Sequence, residues 1–403
     1  MDITWVFIKE STLSKKIKKA LYIQFFNPMH CPVLIHGCNI LAHKGWELLI
    51  LGAQNIANPS NRMKMKIHKN ITIKLLGYVK PGMQQRLQYL YFNLWILLTI
   101  IFWRPQVLYA SEKLVCPIAY IIKIFSNRIK VVYFEPMYAG EGFQIRPGFV
   151  RVSREKLAKI ADLCLVPNEA RLEKFIGDVG TRENIIFVHQ FPRREEFLDI
   201  PLKEKPTGTG RLKLFSFGHI GPDRLPIQLF EALEKLKDKV ELVISGVVSE
   251  GTKNYGSIIK KEIKNRGLEG NIEYVGLIKE RDDLYKQCSK ADVGLTLTGK
   301  TVKPEFRTEG GSQRPFEIMG LGLVPLVSDL KEWEDFFVKD GYAYSCNSDS
   351  ADSIKTTLEF LYENRNSLYE IGERNKKKIL EEWNYNSEFK KVEIHIENSH
   401  DPV

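Results

Sequence analysis

The stretch Glu309-Gly-Gly-Ser-Gln-Arg-Pro-Phe-Glu317-Ile-Met-Gly-Leu-Gly-Leu-Val-Pro-Leu-Val-Ser328 is the most informative part of this 403-residue chain. Two carboxylates enclose seven residues, among them the pair Gly310-Gly311, Ser312, Arg314 and a proline, Pro315, suited to the first turn of a helix. Glycines ahead of a helix leave backbone N–H groups free, and with the helix dipole these form a place for a phosphate or sugar oxygen. Glu317, in the first turn, is then placed to accept from both hydroxyls of a ribose, and Glu309 to hold the hydroxyls of a second ring. The plainer reading is that Glu317 supports the helix start and Gly310-Gly311 is a turn; these residues alone leave both open. The apolar run 323–328 behind the helix reads as a strand, so the stretch is a loop, helix and strand of an α/β domain.

Working outward, the same alternation of short apolar runs and longer 3.6-period segments fills the chain. Before the quoted stretch come strands at 212–218, 240–246, 272–276 and 292–298, with helices at 227–237, up to Arg266, and at 284–289. Earlier still, strands are expected at 20–26, 46–52, 70–77, 106–110, 130–135 and 163–167, with helices at 33–43, 87–103 and 114–125. Strands alternating with helices of this length make parallel, doubly wound sheets. The pattern fails near 192–210, where Pro201, Pro206 and Gly208-Thr-Gly210 form a breaker-rich linker. From Ser353 onward the chain reads as three charged helical stretches. The division expected is therefore a first domain over 1–198, a linker over 199–210, a second domain over 211–380 and a helical tail over 381–403. Two such domains imply a cleft between them, where ligands bind beyond the carboxyl ends of the strands.

Composition narrows the classes. With 44% hydrophobic and 27% charged residues the chain is ordinary and globular. Its six cysteines are scattered, with no CxxC pair and no His cluster at zinc-ligand spacing, which argues for a reducing compartment and against a structural metal. The apolar run 3–8 has neither a basic lead nor a small-residue cleavage site, so no secretory signal is expected. The net charge of +10 is uneven: residues 1–200 hold 28 Lys and Arg against 15 Asp and Glu, the rest 31 against 34. A basic first half faces solvent or something anionic. The run Leu87–Trp103 is uncharged between Arg86 and Arg104, and its 17 residues reach about 26 Å as a helix, short of a bilayer core. It leads into Pro105 and a strand, as a buried layer helix would; the other reading is a helix dipping into a bilayer interface. A peripheral protein on an anionic membrane surface is favoured over a spanning one. No recognised nucleic-acid motif accompanies the basic clusters, so no nucleic-acid partner is expected.

The quoted stretch resembles the E-x7-E segment of retaining glycosyltransferases of the two-domain GT-B architecture, in particular the large fourth family, glycosyl transferases group 1. The run Leu321–Asp329 is similar to the strand after that motif. Lys213–Leu233 resembles the opening strand and loop of the family's donor domain, 291–294 the acidic strand start before the motif, and 161–175 the last strand and helix of the first domain. Trp383 resembles an aromatic near the helix that crosses back. The resemblance implies an α/β fold, two Rossmann-like doubly wound domains facing a central cleft, and sugar transfer from a nucleoside diphosphate sugar with retention.

Carried over residue by residue, Glu317 binds the nucleotide ribose and Glu309 the donor sugar, beside the amides of Gly310 and Gly311 and with Ser312 in the same loop. Gly218 and His219 lie in the diphosphate loop, where His219 replaces the family's usual arginine; Arg224 takes the position of its basic residue, and Arg314 is placed to supply the missing charge. Val275 and Gly276 match the place where the base is held. Glu309, Arg224 and Glu135 are the catalytic candidates, Glu135 because it ends a strand where relatives carry a histidine facing the sugar. Pro28 and His30 are the acceptor candidates, in a loop that departs from the family's glycine pair. Asp282-Asp283 reads as a helix start favoured by the dipole. No metal and no cofactor beyond the donor are expected. The acceptor expected is a glycan or a lipid-linked molecule in cell-surface polysaccharide assembly, at the cytoplasmic face of the plasma membrane. A non-catalytic relative that binds nucleotide or supports a partner, and a sugar-nucleotide epimerase of the same architecture, are the alternatives.

Overall fold

In the computed structural model the described residues are 17–54, 64–136, 147–201, 210–248, 252, 254–299 and 312–397. Seven strands form the first sheet: β1 (Lys19–Ile23), β2 (Glu47–Ala53), β3 (Ile71–Leu76), β4 (Val107–Ser111), β5 (Lys130–Phe134), β6 (Leu163–Val166) and β7 (Ile185–Phe187). All pair in parallel, in the order β3-β2-β1-β4-β5-β6-β7. Both faces are covered, so the central strands are nearly continuous apolar runs, while the edge strand β3 keeps Thr72 and Lys74 exposed. On β1, Leu21 and Ile23 enter one core cluster, while Ala20 and Tyr22 enter another on the opposite face.

Helix α1 (Pro32–His43) covers one face, and α2 (Met83–Trp103), α3 (Cys116–Phe125), α4 (Pro147–Ile160) and α5 (Glu169–Val179) cover the other. Their ends follow local chemistry. Pro32 opens α1. Asn168 caps α5 by accepting from the Arg171 N–H, and Gly180 closes it with φ +70°.

Six parallel strands form the second sheet: β8 (Leu212–Ile220), β9 (Val240–Val248), β10 (Ile272–Gly276), β11 (Val293–Thr296), β12 (Val324–Ser328) and β13 (Tyr344–Cys346), in the order β10-β9-β8-β11-β12-β13. Its helices are α6 (Ile227–Glu234), α7 (Tyr255–Asn265), α8 (Arg281–Cys288), α9 (Arg314–Gly320), the single turn α10 (Lys331–Trp333), α11 (Ala351–Glu363) and α12 (Arg365–Glu381). On α6, Leu229 and Leu233 are buried, as is Leu236 just past its end. The α/β class with two Rossmann-like sheets is therefore observed. In each sheet the strand order reverses once, between β1 and β4 and between β8 and β11, and at such switch points the loops part to admit a ligand.

The domains are tied in three ways. Helix α13 (Tyr385–Glu397) returns to the first domain and buries Tyr385, Phe389, Val392 and Ile396 beside α1. Phe191 and Phe197, ahead of the linker, and Ile200, within it, pack with α8 and α9 of the second domain. The Lys64 N–H donates to the Lys279 carbonyl at 2.7 Å, its ammonium meets Glu280 at 2.9 Å, and Lys66 pairs with Asp282.

One expectation is corrected. Helix α2 buries Tyr89, Phe92 and Ile96, but Leu87, Leu90, Leu94, Leu98, Ile101 and Phe102 are exposed, so the run is not a buried layer helix. The helix is apolar on both faces, and the sheet covers only one. Among the described residues, no helix is long and apolar enough to cross a membrane.

Candidate functional site

The switch point of the second sheet gathers the basic candidates. Strand β8 runs into Gly218, whose φ of +107° suits only glycine, and pairs there with Gly246 of β9. A Cβ on Gly246 would lie 2.0 Å from the Gly218 carbonyl oxygen, so both positions require glycine. Arg314, at the start of α9, reaches back to this strand end: its Nη1 donates to the Phe217 carbonyl at 3.3 Å, and its Cδ lies 3.8 Å from where a Cβ on Gly218 would stand. Its backbone N–H donates to Ser312 Oγ at 3.4 Å.

Arg224 is held from two sides. Its Nη1 donates to Thr298 Oγ1 at 3.0 Å, beyond β11, and its Nε lies 3.4 Å from Asp223. Thr298 is fixed in turn, since its N–H donates to Ser328 Oγ at 2.7 Å and its carbonyl accepts from Ser348 Oγ at 3.1 Å. Burial lowers the pKa of His219 and the Arg224 and Arg314 guanidinium groups add to this; Asp223, 3.9 Å away, opposes them without reversing the direction. A neutral imidazole between two guanidinium groups offers one N–H, not a third charge. The structure thus brings Gly218, His219, Arg224 and Arg314 together at one strand end. Val275 and Gly276 end β10, the edge strand on the far side of β9, where Ser245 Oγ donates to the Gly276 carbonyl at 3.0 Å.

Glu317 is buried, with 4% exposure. Its Oε1 accepts from Arg281 Nη2 at 2.6 Å, and Arg281 Nε donates to Glu196 Oε1 at 2.6 Å. Burial alone would lower the arginine's pKa, but Glu196, Tyr285 and Glu317 outweigh it and hold Arg281 firmly charged. The guanidinium also lies 4.9 Å over the Tyr285 ring. His36 of α1 completes the cluster, with Nε2 3.6 Å from Glu196 Oε2, and burial plus the Arg281 and Arg193 charges push it well below the usual imidazole value. The carboxylate that the resemblance gives to a ribose is therefore already engaged by an arginine. Glu309, Gly310 and Gly311 lie outside the described residues.

On the first domain, Glu135 follows β5 and is paired with Arg154 Nε at 2.7 Å; Lys113 lies 3.7 Å away and the Tyr133 hydroxyl donates to it. It is a neutralised carboxylate rather than a lone one. Pro28 is buried, with its Cδ 2.8 Å from where a Cβ on Gly52 would stand, and Asn27 caps the 3-10 turn Pro28–His30 by accepting from the Met29 N–H at 3.0 Å. At this sheet's own switch point Glu112 accepts from the Phe25 N–H at 2.7 Å, with φ +84° and 2% exposure. Burial pushes its carboxyl well above the ordinary range. Asp223, Thr298, Arg281, Glu196 and Glu112 were not singled out from the sequence. The only available signal was that each stands within a few residues of a strand or helix end.

Residues 201–378 match the family model described as Glycosyl transferases group 1. The matched stretch is under half of the chain and lies in its second part. No curated protein sequence matches it. Among solved structures, Anabaena HepE in complex with UDP superposes with a TM-score of 0.69 at 14% identity, covering 95% of this chain and 100% of that one. A glycosyltransferase from Rickettsia africae gives 0.71 at 12% identity over 96% and 100%. Sucrose-phosphate synthase from Thermosynechococcus elongatus gives 0.70 at 11% identity over 93% and 97%. At these identities the likeness is one of fold, and the fold is that of GT-B enzymes. The matched residues span every strand of the second sheet, with the arginine-lined switch point among them.

Proposed function

We propose that the chain transfers a sugar from a nucleoside diphosphate sugar, with retention of configuration, to a saccharide or lipid-linked acceptor in cell-surface polysaccharide or glycoconjugate assembly. The observation that carries the reading is the meeting of Gly218, His219, Arg224 and Arg314 at the switch point of the sheet that the group 1 family model matches. The binding of UDP by HepE supports a nucleotide donor. Departure of the nucleoside diphosphate gathers negative charge on its outer phosphate. Arg224 and Arg314, fixed by Thr298, Asp223 and Phe217, are preorganised for that charge, and removing one such donor costs about 10²–10³ in kcat. With two guanidinium groups supplying the charge, the reading needs no metal.

Glu317 receives the ribose hydroxyls while Arg281 fixes its Oε1, and Glu309 with Gly310 and Gly311 holds the sugar, Ser312 lying beside them. Val275 and Gly276 hold the base. Glu135, neutralised by Arg154, orients an acceptor hydroxyl as a hydrogen-bond acceptor, with the turn Pro28–His30 belonging to the acceptor side. Residues 1–198 form the acceptor domain and 211–380 the donor domain. Their closure excludes water and protects the donor from hydrolysis. The acceptor side works at an anionic membrane surface, on the cytoplasmic face.

The test is a thermal-shift panel of nucleoside diphosphate sugars, followed by product analysis by NMR. A shift that Arg314→Ala abolishes, and an acceptor glycosylated with the donor's anomeric configuration, are expected. A new sugar nucleotide formed without acceptor points instead to epimerisation, and nucleotide binding with no turnover to a non-catalytic partner. No shift with any nucleotide refutes the reading.

A further inference from the structure

Helix α2 carries an apolar stripe that nothing in the described fold covers. Leu87, Leu90, Leu94, Leu98, Ile101 and Phe102 are spaced by three and four residues, so they share one face along the whole helix, and Phe102 is 81% exposed. The opposite face is fixed by Phe92 and Ile96, which are fully buried in the first domain's core. On the same side of the sheet, α3 adds Ile121, Ile124 and Phe125, the last 85% exposed. An exposed apolar surface of this extent marks an interaction site.

The charge around the stripe says what covers it. From Leu48 to Ser111, 64 residues, the chain has eight Lys and Arg and not one Asp or Glu. Of these, Lys80 and Arg86 stand exposed at the start of α2 and Arg104 at its end. An apolar helix face flanked by cations, with no carboxylate in the helix itself, suits an anionic lipid surface: acyl chains meet the leucines and headgroup phosphates the arginines. A second protein copy would bring its own cations against these. Tyr91, on the exposed face, is a residue type that settles at headgroup depth. Because Phe92 and Ile96 are locked in the core, the helix lies in the plane of the interface and does not cross it.

We propose that the face of α2, extended by the end of α3, docks the first domain onto an anionic bilayer. This deepens the membrane-side acceptor proposed above and rests on it only for its purpose, not for its test. Full-length protein is floated with vesicles of phosphatidylcholine alone or with about one-third anionic phosphatidylglycerol, at low and at high salt. Leu94→Glu/Leu98→Glu and Arg86→Gln/Arg104→Gln are run beside it, with UDP thermal shifts as a separate readout of the second domain. We expect flotation on anionic vesicles, weakened by salt and by the arginine variant, and lost at least about tenfold in the glutamate variant while its UDP shift is unchanged. Wild-type protein that fails to float, a glutamate variant that floats as well, or equal binding to neutral vesicles overturns the proposal. So does a vesicle-free dimer that the glutamate variant disperses without any flotation, since a second copy then covers the stripe. Flotation without a thermal shift on any nucleoside diphosphate sugar leaves the docking intact and removes the transfer reading.

Discussion

Arg281→Gln tests the buried cluster most directly. The wild-type guanidinium serves two carboxylates at 2.6 Å each, and all three side chains are at most 10% exposed. Removing the cation leaves Glu196 and Glu317 as neighbouring buried charges without a counter-ion. Breaking a buried pair in this way costs about 3–5 kcal/mol, since the desolvation already incurred is no longer offset. At about 2–4 °C per kcal/mol for domains of this size, the melting temperature falls by about 6–20 °C. The assay is thermal unfolding followed by tryptophan fluorescence, at pH 8 and at pH 5. Protonating a stranded carboxylate removes its charge, so the deficit is expected to shrink to less than half at pH 5. Neutralising both partners in the same chain, with Glu196→Gln and Glu317→Gln beside Arg281→Met, is expected to recover most of the loss at pH 8. A deficit below about 1 kcal/mol at pH 8, within the range of exposed pairs, refutes the reasoning. So does a deficit that neither acid nor loss of the carboxylates changes.

Glu112→Gln is expected to stabilise the protein above about pH 5. Burial raises the folded carboxyl's pKa, so between the unfolded value near 4.5 and the folded one the unfolded chain alone ionises and wild-type stability falls as pH rises; denaturant titrations of both chains should converge below pH 4.5. His36→Gln acts at the other boundary. The folded imidazole stays neutral, so below pH 6.5 only the unfolded chain gains its proton and wild-type stability drops by up to about 1.4 kcal/mol per pH unit, a slope the variant should lose. Gly246→Ala should cost about 1–3 kcal/mol and abolish any nucleotide-induced thermal shift, because the methyl group displaces the Gly218 carbonyl; an unchanged shift would show that this strand end does not meet the nucleotide.

The two sheets were legible because parallel strands covered on both faces are short, nearly continuous apolar runs. Val131–Phe134 and Val324–Val327 are buried at every position and stand out against polar loops. The strands missed, Ile185–Phe187 and Tyr344–Cys346, are three residues long, too short for any period to register. Helix α2 was legible as a helix and misread as to its surroundings. A segment apolar all round signals that it is covered, and pattern alone does not separate a protein core from another apolar phase. The basic strand-end residues could be placed through the resemblance, since Gly218 and Arg314 stand at fixed distances from strand and helix starts. Their anchors could not: Thr298 lies 74 residues after the Arg224 it holds.

Glu280 and Arg281 show why the charged partners stayed hidden. They are adjacent in the sequence and each forms one half of an acid–base pair. Glu280 meets Lys64 at 2.9 Å with the side chains 53% and 70% exposed, in water that screens the pair to about 0–1 kcal/mol. Arg281 meets Glu317 at 2.6 Å with both side chains under 10% exposed, where loss of either charge costs several times more. Each pair joins one basic residue to one glutamate and carries no net charge. The difference is which way consecutive side chains point at the start of α8: one toward the exposed Lys64 ammonium, the other into the layer between α8, α9 and Phe197. Burial multiplies the worth of a charge, and burial is set by packing among residues 196, 281 and 317, far apart in the chain. A stretch read for its charges therefore gives the cast of a site, and only the fold assigns each carboxylate to a counter-ion or to a ligand.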